Sequence, residues 1–106
     1  MKILIDECLP KDLKKQLVNH SPFTVRDMKW EGKKNGELLK RMVNAGFEVF
    51  ITIDCNLPNQ QNLRAFPLIY ICIKAISSDI DILVPIVTKI NRRLKNLQAG
   101  RRYGFS

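Results

Sequence analysis

Near the middle of the chain runs Val49-Phe50-Ile51-Thr52-Ile53-Asp54, an apolar stretch that ends in a carboxylate. A stretch that is apolar on both of its alternating faces is typical of a strand buried inside a parallel sheet. Two other stretches have the same character: Ile3-Leu4-Ile5 near the start and Leu68-Ile69-Tyr70-Ile71-Cys72-Ile73 further along. Together they predict three central strands.

The segments between these strands favour helices and one further strand. Leu9, Leu13 and Leu17 recur every four residues, a spacing that gives a helix one apolar face. Ser21-Pro22 is a turn signal, and the apolar residues after it predict a second strand. The predicted helices are 10–19, 35–45 and 79–98, the second strand is 23–26, and 101–106 is a tail or an edge strand.

Strands that alternate with helices imply a parallel sheet with right-handed crossovers. The sequence therefore predicts an α/β protein with a central, mainly parallel sheet of four to five strands. A chain of 106 residues has the length of one domain, so residues 1–106 are expected to form a single domain.

The composition favours a polyanionic partner and an intracellular setting. Eighteen Lys and Arg face ten Asp and Glu, which gives a formal net charge of +8. Such an excess favours RNA, DNA, an acidic protein or anionic lipid as a partner, although basic stripes can also be solvated surface. The three cysteines form no Cys-x-x-Cys pair and predict no disulfide. Without a signal peptide or an apolar stretch of membrane-spanning length, the expected location is the cytoplasm, with no membrane association.

Carboxylates follow the predicted strands. Asp6 and Glu7 follow the first strand, Asp27 the second and Asp54 the third, and Glu37 lies in the first turn of the next helix. Because parallel strands end at one edge of the sheet, where ligands bind, these acids are expected to share one mouth. Clustered carboxylates suit Mg²⁺ or Mn²⁺. Such an ion can activate a water molecule and stabilise the negative charge that develops on a phosphodiester during cleavage. The alternative is that each acid caps a turn or forms a surface ion pair.

An aromatic and several polar residues lie beside this predicted mouth. Trp30 is followed by Lys33, Lys34 and Asn35, a mixture that suits stacking on an unpaired base together with phosphate contact. Trp30 is equally well interpreted as a lid packed on the core.

The order and spacing of several motifs over residues 1 to about 75 resemble one known family. The motifs are Ile3-Leu4-Ile5-Asp6-Glu7, Thr24-Val25-Arg26-Asp27, Trp30-Glu31-Gly32, Asn35-Gly36-Glu37-Leu38-Leu39, Thr52-Ile53-Asp54, Asn56-Leu57 and Gln60-Gln61-Asn62. In this order they resemble the short PIN-like domains catalogued as DUF5615.

This resemblance implies a PIN-like three-layer α/β/α sandwich with the activity of a Mg²⁺- or Mn²⁺-dependent ribonuclease. Asp6 matches the first acid of the family and Asp54 the acid after the third strand. The resemblance also implies a toxin of a toxin–antitoxin pair, with RNA as substrate, a DUF433-type DNA-binding antitoxin as partner, and a possible homodimer.

Two positions depart from the family's acidic pattern. Asn35 and Asn56 stand where related sequences often carry Asp. Asparagine keeps an oxygen ligand but lacks the negative charge of aspartate. Fewer negative ligands weaken divalent-ion affinity. In this interpretation Glu37, with Asp27 or Glu7, completes the metal site, and Asn35 and Asn56 orient water or substrate.

Two other functions are compatible with the same sequence. One is a catalytically silent module that keeps the fold and binds RNA or an antitoxin without cleavage, as the reduced acid set suggests. The other is a phospho-acceptor domain built on Asp6, Glu7 and Asp54, with Lys74 as its strand-end lysine.

Overall fold

The structure, a computed structural model, describes residues 1–33, 35–53, 55 and 66–106, with the main chain alone at Asn35. Within this part of the chain, five strands form a single sheet in which all paired strands are parallel. The strands are β1 (Lys2–Ile5), β2 (Ser21–Thr24), β3 (Val49–Thr52), β4 (Ile69–Ile73) and β5 (Arg102–Phe105). They lie side by side in the order β2-β1-β3-β4-β5.

Helices cover both faces of this sheet. On one face lies α1 (Asn35–Asn44), and on the other lie α2 (Ile80–Arg93) and a 3₁₀-helix, Lys11–Gln16, which packs against α2. Each face buries its own apolar cluster between sheet and helix. The molecule is therefore a three-layer α/β/α sandwich around a five-stranded parallel sheet, which confirms the predicted fold class.

Alternation along the strands assigns each side chain to one layer. Ile5 and Ile51, which are partners in the sheet register, point to the α2 side, whereas Leu4, Phe50 and Tyr70 point to the α1 side. Both faces are apolar because both are covered, and this explains the uninterrupted apolar runs in the sequence.

The first crossover is not the α-helix predicted over 10–19. It is a 3₁₀-helix at Lys11–Gln16, which still buries Leu9, Leu13 and Leu17 in the core. Because β1 and β2 are parallel, the chain that joins them must travel back along the length of a four-residue strand, about 13 Å. Six residues of 3₁₀-helix cover about 12 Å, whereas an α-helix of the same length covers about 9 Å. The tighter helix therefore spans the return with fewer residues.

The second strand begins two residues earlier than predicted. Ser21 and Pro22, predicted as a turn, are the first residues of β2, and the chain turns after Thr24. β2 is an edge strand, where a proline without an N–H group does not interrupt the hydrogen bonds of the sheet. The turn signal of Ser-Pro was therefore misleading at this position.

The two long helices begin where the sequence predicts. α1 also ends as predicted, whereas α2 ends at Arg93, five residues before the predicted end, and is followed by a 3₁₀-helix at Leu94–Asn96. Gly46 adopts φ +84° after α1, and Gly46 and Phe47 donate main-chain hydrogen bonds to Val43 and Met42, the pattern of a Schellman motif. α2 contains Pro85 near its start. The residues after α2 end in β5, which settles the alternative left open for 101–106 as an edge strand.

In the part of the chain that is described, no helix has the length and apolar character required to cross a bilayer.

Candidate functional site

The sheet order creates a crevice between β1 and β3. The chain leaves β1 for β2 on one side and later returns to β3 on the other side, so the direction of winding reverses at this pair. In open parallel sheets, ligands bind outside the carboxyl ends of the strands at such a switch point. Asp6 lies there, and its main-chain N–H donates to the Ile51 carbonyl oxygen over 2.9 Å.

The carboxylate of Asp6 is held by three neighbours. Its Oδ2 accepts a hydrogen bond from Thr52 Oγ1 at 2.6 Å and lies 3.5 Å from Cys8 Sγ. Its Oδ1 accepts from the Glu7 main-chain N–H at 2.8 Å. Thr52 is fully buried, and Asp6 is half-buried. The carboxylate is therefore fixed in orientation, and its side chain remains partly accessible to a ligand.

The second predicted acid, Asp54, lies outside the described residues, as do Lys34, Asn56 and the side chain of Asn35. The structure shows that β1 and β3 are adjacent and parallel, with Ile5 opposite Ile51. Asp54 comes two residues after the end of β3 in the sequence. The strand arrangement on which the two-acid prediction depended is thus confirmed, and the placement of Asp54 stays a prediction.

Asp27 has a structural environment of its own. Its Oδ2 forms an ion pair with Lys14 and accepts a hydrogen bond from the Thr24 N–H at 2.9 Å, while its own N–H donates to Thr24 Oγ1 at 3.0 Å. The hydrogen bond from Lys14, then that from the Thr24 main chain, holds the pKa of Asp27 below its ordinary value. These contacts match the turn and ion-pair alternative for this residue.

Glu37 lies in the first turn of α1 with an exposed side chain. It forms ion pairs with Arg41 at 3.2 Å and with Lys33 at 3.7 Å. Within the described residues, no hydrogen bond or ion pair joins Glu37 to Asp6. The structure therefore does not bring the two acids together through a direct contact.

Trp30 is half-buried and packs on the α1-side core. Its ring meets Phe47 edge-on, with the ring centroids 5.8 Å apart. This position matches the interpretation of Trp30 as a lid on the core.

Glu7 lies in a cleft at the same edge of the sheet as Asp6. The cleft has a volume of about 300 Å³, and charged groups of both signs line it. Its lining residues are Glu7, Leu9, Lys11, Thr24, Arg26, Asp27 and Glu31. Glu7 is exposed there, next in sequence to the oriented carboxylate of Asp6.

Two of the cysteines are joined, so the prediction of no disulfide was wrong. Cys55 and Cys72 form a disulfide with their Cα atoms 5.4 Å apart. Cys72 lies opposite Thr52 in the β3–β4 register, so the turn that follows β3 passes beside it. A spacing of 17 residues gives no sign of this pairing in the sequence, because the sheet register brings the two residues together.

Cys8 is a free cysteine at the edge of the site. Burial of its sulfur raises the pKa of the thiol, and the negative charge of Asp6 acts in the same direction. The group therefore stays a neutral thiol at physiological pH rather than a nucleophilic thiolate.

A second cleft, which we call the basic cleft, lies over β4 and β5. Its volume is about 370 Å³, and its described lining consists of Cys55, Cys72, Lys74, Arg102 and Gly104. A side chain at Gly104 would approach the Lys74 Cε atom to 3.1 Å, so glycine leaves the lysine room to lie across β5. The charged side chains in this lining are both cationic, which suits an anionic ligand.

Sequence reasoning missed two residues near Asp6. Thr52 was interpreted only as part of a strand, and Tyr70 only as a core residue. Tyr70 is 1% exposed, and its hydroxyl has no hydrogen-bond partner within the described chain. Burial, and then the charge of Asp6, raises the pKa of this hydroxyl. The alternation of side chains along β3 and β4 could have placed both on the face of Asp6, once the strand order was known.

The described side chains around Asp6 fit a divalent cation only if the cation is held by one carboxylate and keeps most of its water ligands. Among residues 1–33, 35–53, 55 and 66–106, no group of three His, Cys, Asp or Glu side chains is arranged to hold a metal ion. Mg²⁺ commonly takes one or two carboxylates and keeps several waters. Asp6 supplies one such carboxylate.

No protein-family model, curated protein or solved structure was found to match this chain.

Proposed function

We propose that this protein is a Mg²⁺- or Mn²⁺-dependent ribonuclease of the PIN-like DUF5615 type, acting as the toxin of a toxin–antitoxin pair. The observation that supports the proposal most is the position of Asp6 at the β1–β3 switch point, with its carboxylate oriented by Thr52. A fixed, half-buried carboxylate in the ligand-binding crevice of a parallel sheet suits a hard cation.

In this proposal, Asp6 and Asp54 hold the cation, and Thr52 fixes the orientation of Asp6. A bound divalent cation supplies an activated water and stabilises the charge that develops on the scissile phosphodiester. The Thr52 hydroxyl donates to one oxygen of the Asp6 carboxylate, which leaves that group preorganised before the ligand arrives. Asp54 enters on the family resemblance and on its position two residues after β3.

The substrate is proposed to be RNA because of the charge of the chain. The net charge of +8 attracts a polyanion, and the basic cleft places Lys74 two strands and Arg102 three strands from the strand that Asp6 follows. Adjacent strands are about 4.8 Å apart, so the cleft begins about 10 Å across the sheet from that strand. A nucleic-acid backbone is long enough to contact both places.

The resemblance also supports two protein partners as part of the proposal. One is an antitoxin of the DUF433 type, and the other is a second copy of the chain. The cytoplasm is the proposed site of action, since RNA and an antitoxin would both be met there. The disulfide between Cys55 and Cys72 weighs against this part of the proposal, because such bonds are rare in reducing compartments.

The test is cleavage of single-stranded RNA by the full chain with Mn²⁺, compared between wild type and Asp6→Asn. Asn preserves an acceptor for Thr52 and removes the charge, so we expect the fold to persist and cleavage to fall at least a hundredfold. Asp12→Asn is the matched control, because Asp12 is an exposed acid of the first 3₁₀-helix and touches neither cleft. Circular dichroism verifies that both variants fold.

The outcomes separate nuclease from silent module. Loss of cleavage in Asp6→Asn and in Asp54→Asn, with full activity in Asp12→Asn, supports the nuclease. Equal cleavage by wild type and Asp6→Asn contradicts the proposed site. RNA binding by wild type without any metal-dependent cleavage supports the silent module.

The phospho-acceptor alternative is favoured by one observation, the strand order. The order β2-β1-β3-β4-β5 is the one found in flavodoxin-like folds, which include receiver domains. Lys74 follows β4, as this alternative requires, but a 3₁₀-helix replaces the first α-helix. A gain in mass after incubation with a small-molecule phosphoryl donor would support this function instead.

A further inference from the structure

The basic cleft contains a disulfide as well as cations. Its described lining brings the Cys55–Cys72 bond together with Lys74, Arg102 and Gly104 in a space of about 370 Å³. Cys55 is half-buried, whereas Cys72 is only 2% exposed. Of the two bonded residues, Cys55 is therefore the one that a molecule in the cleft can approach. The proposed nuclease activity gives this disulfide no role.

The sheet register places the ammonium group of Lys74 near this bond. Lys74 comes two residues after Cys72, so alternation along the chain puts both side chains on the same face of the sheet. Gly104 is the partner of Cys72 in the β4–β5 register. A Cβ atom on Gly104 would lie 3.1 Å from Lys74 Cε and 3.4 Å from its Nζ, so the lysine side chain lies over this glycine. With adjacent strands about 4.8 Å apart, the ammonium group is within about 10 Å of Cys72.

Lys74 is a cation that can respond to negative charge in the cleft. Its side chain is exposed, and no ion pair among the described residues involves it. Thiol–disulfide exchange starts from a thiolate, and its negative charge is shared with the leaving sulfur as the old bond breaks. A fixed cation beside the bond attracts an anionic reagent and stabilises the charge that develops on sulfur.

We propose that the basic cleft is a site of thiol–disulfide exchange, in which a small thiol with an anionic group enters beside Lys74 and reduces the Cys55–Cys72 bond. The inference is independent of the proposed nuclease activity. It needs neither a metal ion nor RNA.

The reaction has two steps. In the first, the thiolate attacks Cys55 Sγ, a mixed disulfide forms, and the electron pair of the broken bond leaves on Cys72 Sγ, which takes up a proton. In the second, another thiolate attacks the reagent's sulfur in the mixed disulfide, and Cys55 leaves as a thiolate that is protonated in turn. Two reagent thiols thereby become one reagent disulfide, and two electrons pass to the protein.

The experiment measures how the charge of the thiol affects the rate of reduction. Full-length wild type, Lys74→Gln and Lys95→Gln are mixed with mercaptoethanesulfonate, mercaptoethanol or cysteamine, which are anionic, neutral and cationic. Each rate is divided by that of the same thiol with hydroxyethyl disulfide, which corrects for intrinsic reactivity. Alkylation and mass spectrometry count the thiols: one in the oxidised chain and three in the reduced chain.

In wild type, we expect the corrected rate to be about tenfold higher for the anionic than for the neutral thiol, the lower end of electrostatic steering, and lowest for the cationic thiol. Lys74→Gln should lose most of this preference, and Lys74→Arg should restore it because the charge returns. Lys95→Gln, which removes an exposed lysine on the other face of the sheet, should keep the wild-type preference.

Equal corrected rates for the three thiols in wild type, or an undiminished preference in Lys74→Gln, would overturn the proposal. If Lys74→Gln fails to fold by circular dichroism, a salt series on wild type decides the question. A preference that persists in about 1 M salt, where charges are screened beyond about 3 Å, is not electrostatic and contradicts the role of Lys74. Three alkylated thiols in protein kept free of reductant would also overturn it, without bearing on the nuclease.

Discussion

The acids that follow the strands have different surroundings, and these surroundings separate their roles. Asp6 receives hydrogen bonds from a buried threonine and from a main-chain N–H, and no basic side chain is paired with it among the described residues. Asp27 and Glu37 are each paired with cations instead. A carboxylate already neutralised by lysine or arginine gains less from binding a metal than one held by neutral donors.

The Asp27–Lys14 pair predicts a small, pH-dependent effect at the residue scale. Asp27→Asn keeps the acceptor for Thr24 and loses the ion pair, so we expect stability at neutral pH to fall by less than about 1 kcal/mol, as for other partly exposed pairs. Because folding lowers the pKa of Asp27, the contribution is present above the pKa of the unfolded chain and is lost as the pH falls through that of the folded protein.

Urea denaturation at several pH values checks this prediction. The stability difference between wild type and Asp27→Asn should be constant near neutrality, begin to fall as the pH approaches the unfolded pKa of about 4, and vanish only below the lowered pKa of the folded protein. A difference that grows toward acid pH would contradict the assignment of the pair.

At the scale of elements, the disulfide connects the turn after β3 to β4. Cys55 and Cys72 are separated by 17 residues, and closing a loop of this size stabilises a fold by about 3 kcal/mol through the unfolded state. We expect Cys55→Ser to lose about this much stability under oxidising conditions, measured by chemical denaturation. Cys8→Ser, which removes the free cysteine, is the control and should change little.

A reductant provides the complementary measurement. With dithiothreitol present, wild type should weaken to the level of Cys55→Ser, and the variant should be unaffected. Equal stabilities of wild type and Cys55→Ser without reductant would show that the bond is not formed in solution.

The elements that sequence reasoning predicted correctly are those whose pattern is set by burial on a whole face. β1, β3 and β4 are buried on both sides, and α1 and α2 each carry a regular apolar stripe. These patterns are local and survive in the sequence alone.

The elements predicted wrongly depend on distant neighbours. The leucine spacing of the first crossover fits an α-helix, but the structure has a 3₁₀-helix there that buries the same leucines. Pro22 predicts a turn unless its strand is known to lie at the edge of the sheet. Asp6 was identified from its place after a strand, whereas Thr52, Tyr70 and the disulfide partner of Cys55 required the register of β1, β3 and β4.

At the scale of the whole molecule, charge and sheet geometry act together. In the proposed function, the net charge of +8 attracts RNA, and the basic cleft over β4 and β5 is where its backbone would bind. The switch point at β1 and β3 then offers a carboxylate rather than another cation. Cationic side chains that would bind the phosphate backbone, together with a separate carboxylate that would take part in the reaction, suit a protein that acts on a phosphodiester.

The basic cleft predicts a specific salt dependence for RNA binding. Lys74→Gln removes one cation from the cleft, so we expect weaker binding and a fall of about 1 in the slope of log affinity against log salt concentration. Lys95→Gln is the matched control, because Lys95 is an exposed lysine in the 3₁₀-helix Leu94–Asn96, on the α2 side of the sheet.

Fluorescence anisotropy with a short single-stranded RNA in EDTA measures this slope without cleavage. An equal effect of the two substitutions would mean that binding is spread over the whole basic surface and would contradict a role for the cleft.

The bond between Cys55 and Cys72 also changes what a cut in the chain would do. A peptide bond hydrolysed anywhere between these two positions would leave both fragments attached through sulfur. The nicked protein would migrate as one species on a non-reducing gel and as two after thiol treatment. In covalent terms the molecule is a closed ring with two tails, and β1, β3 and β5 all lie on the tails.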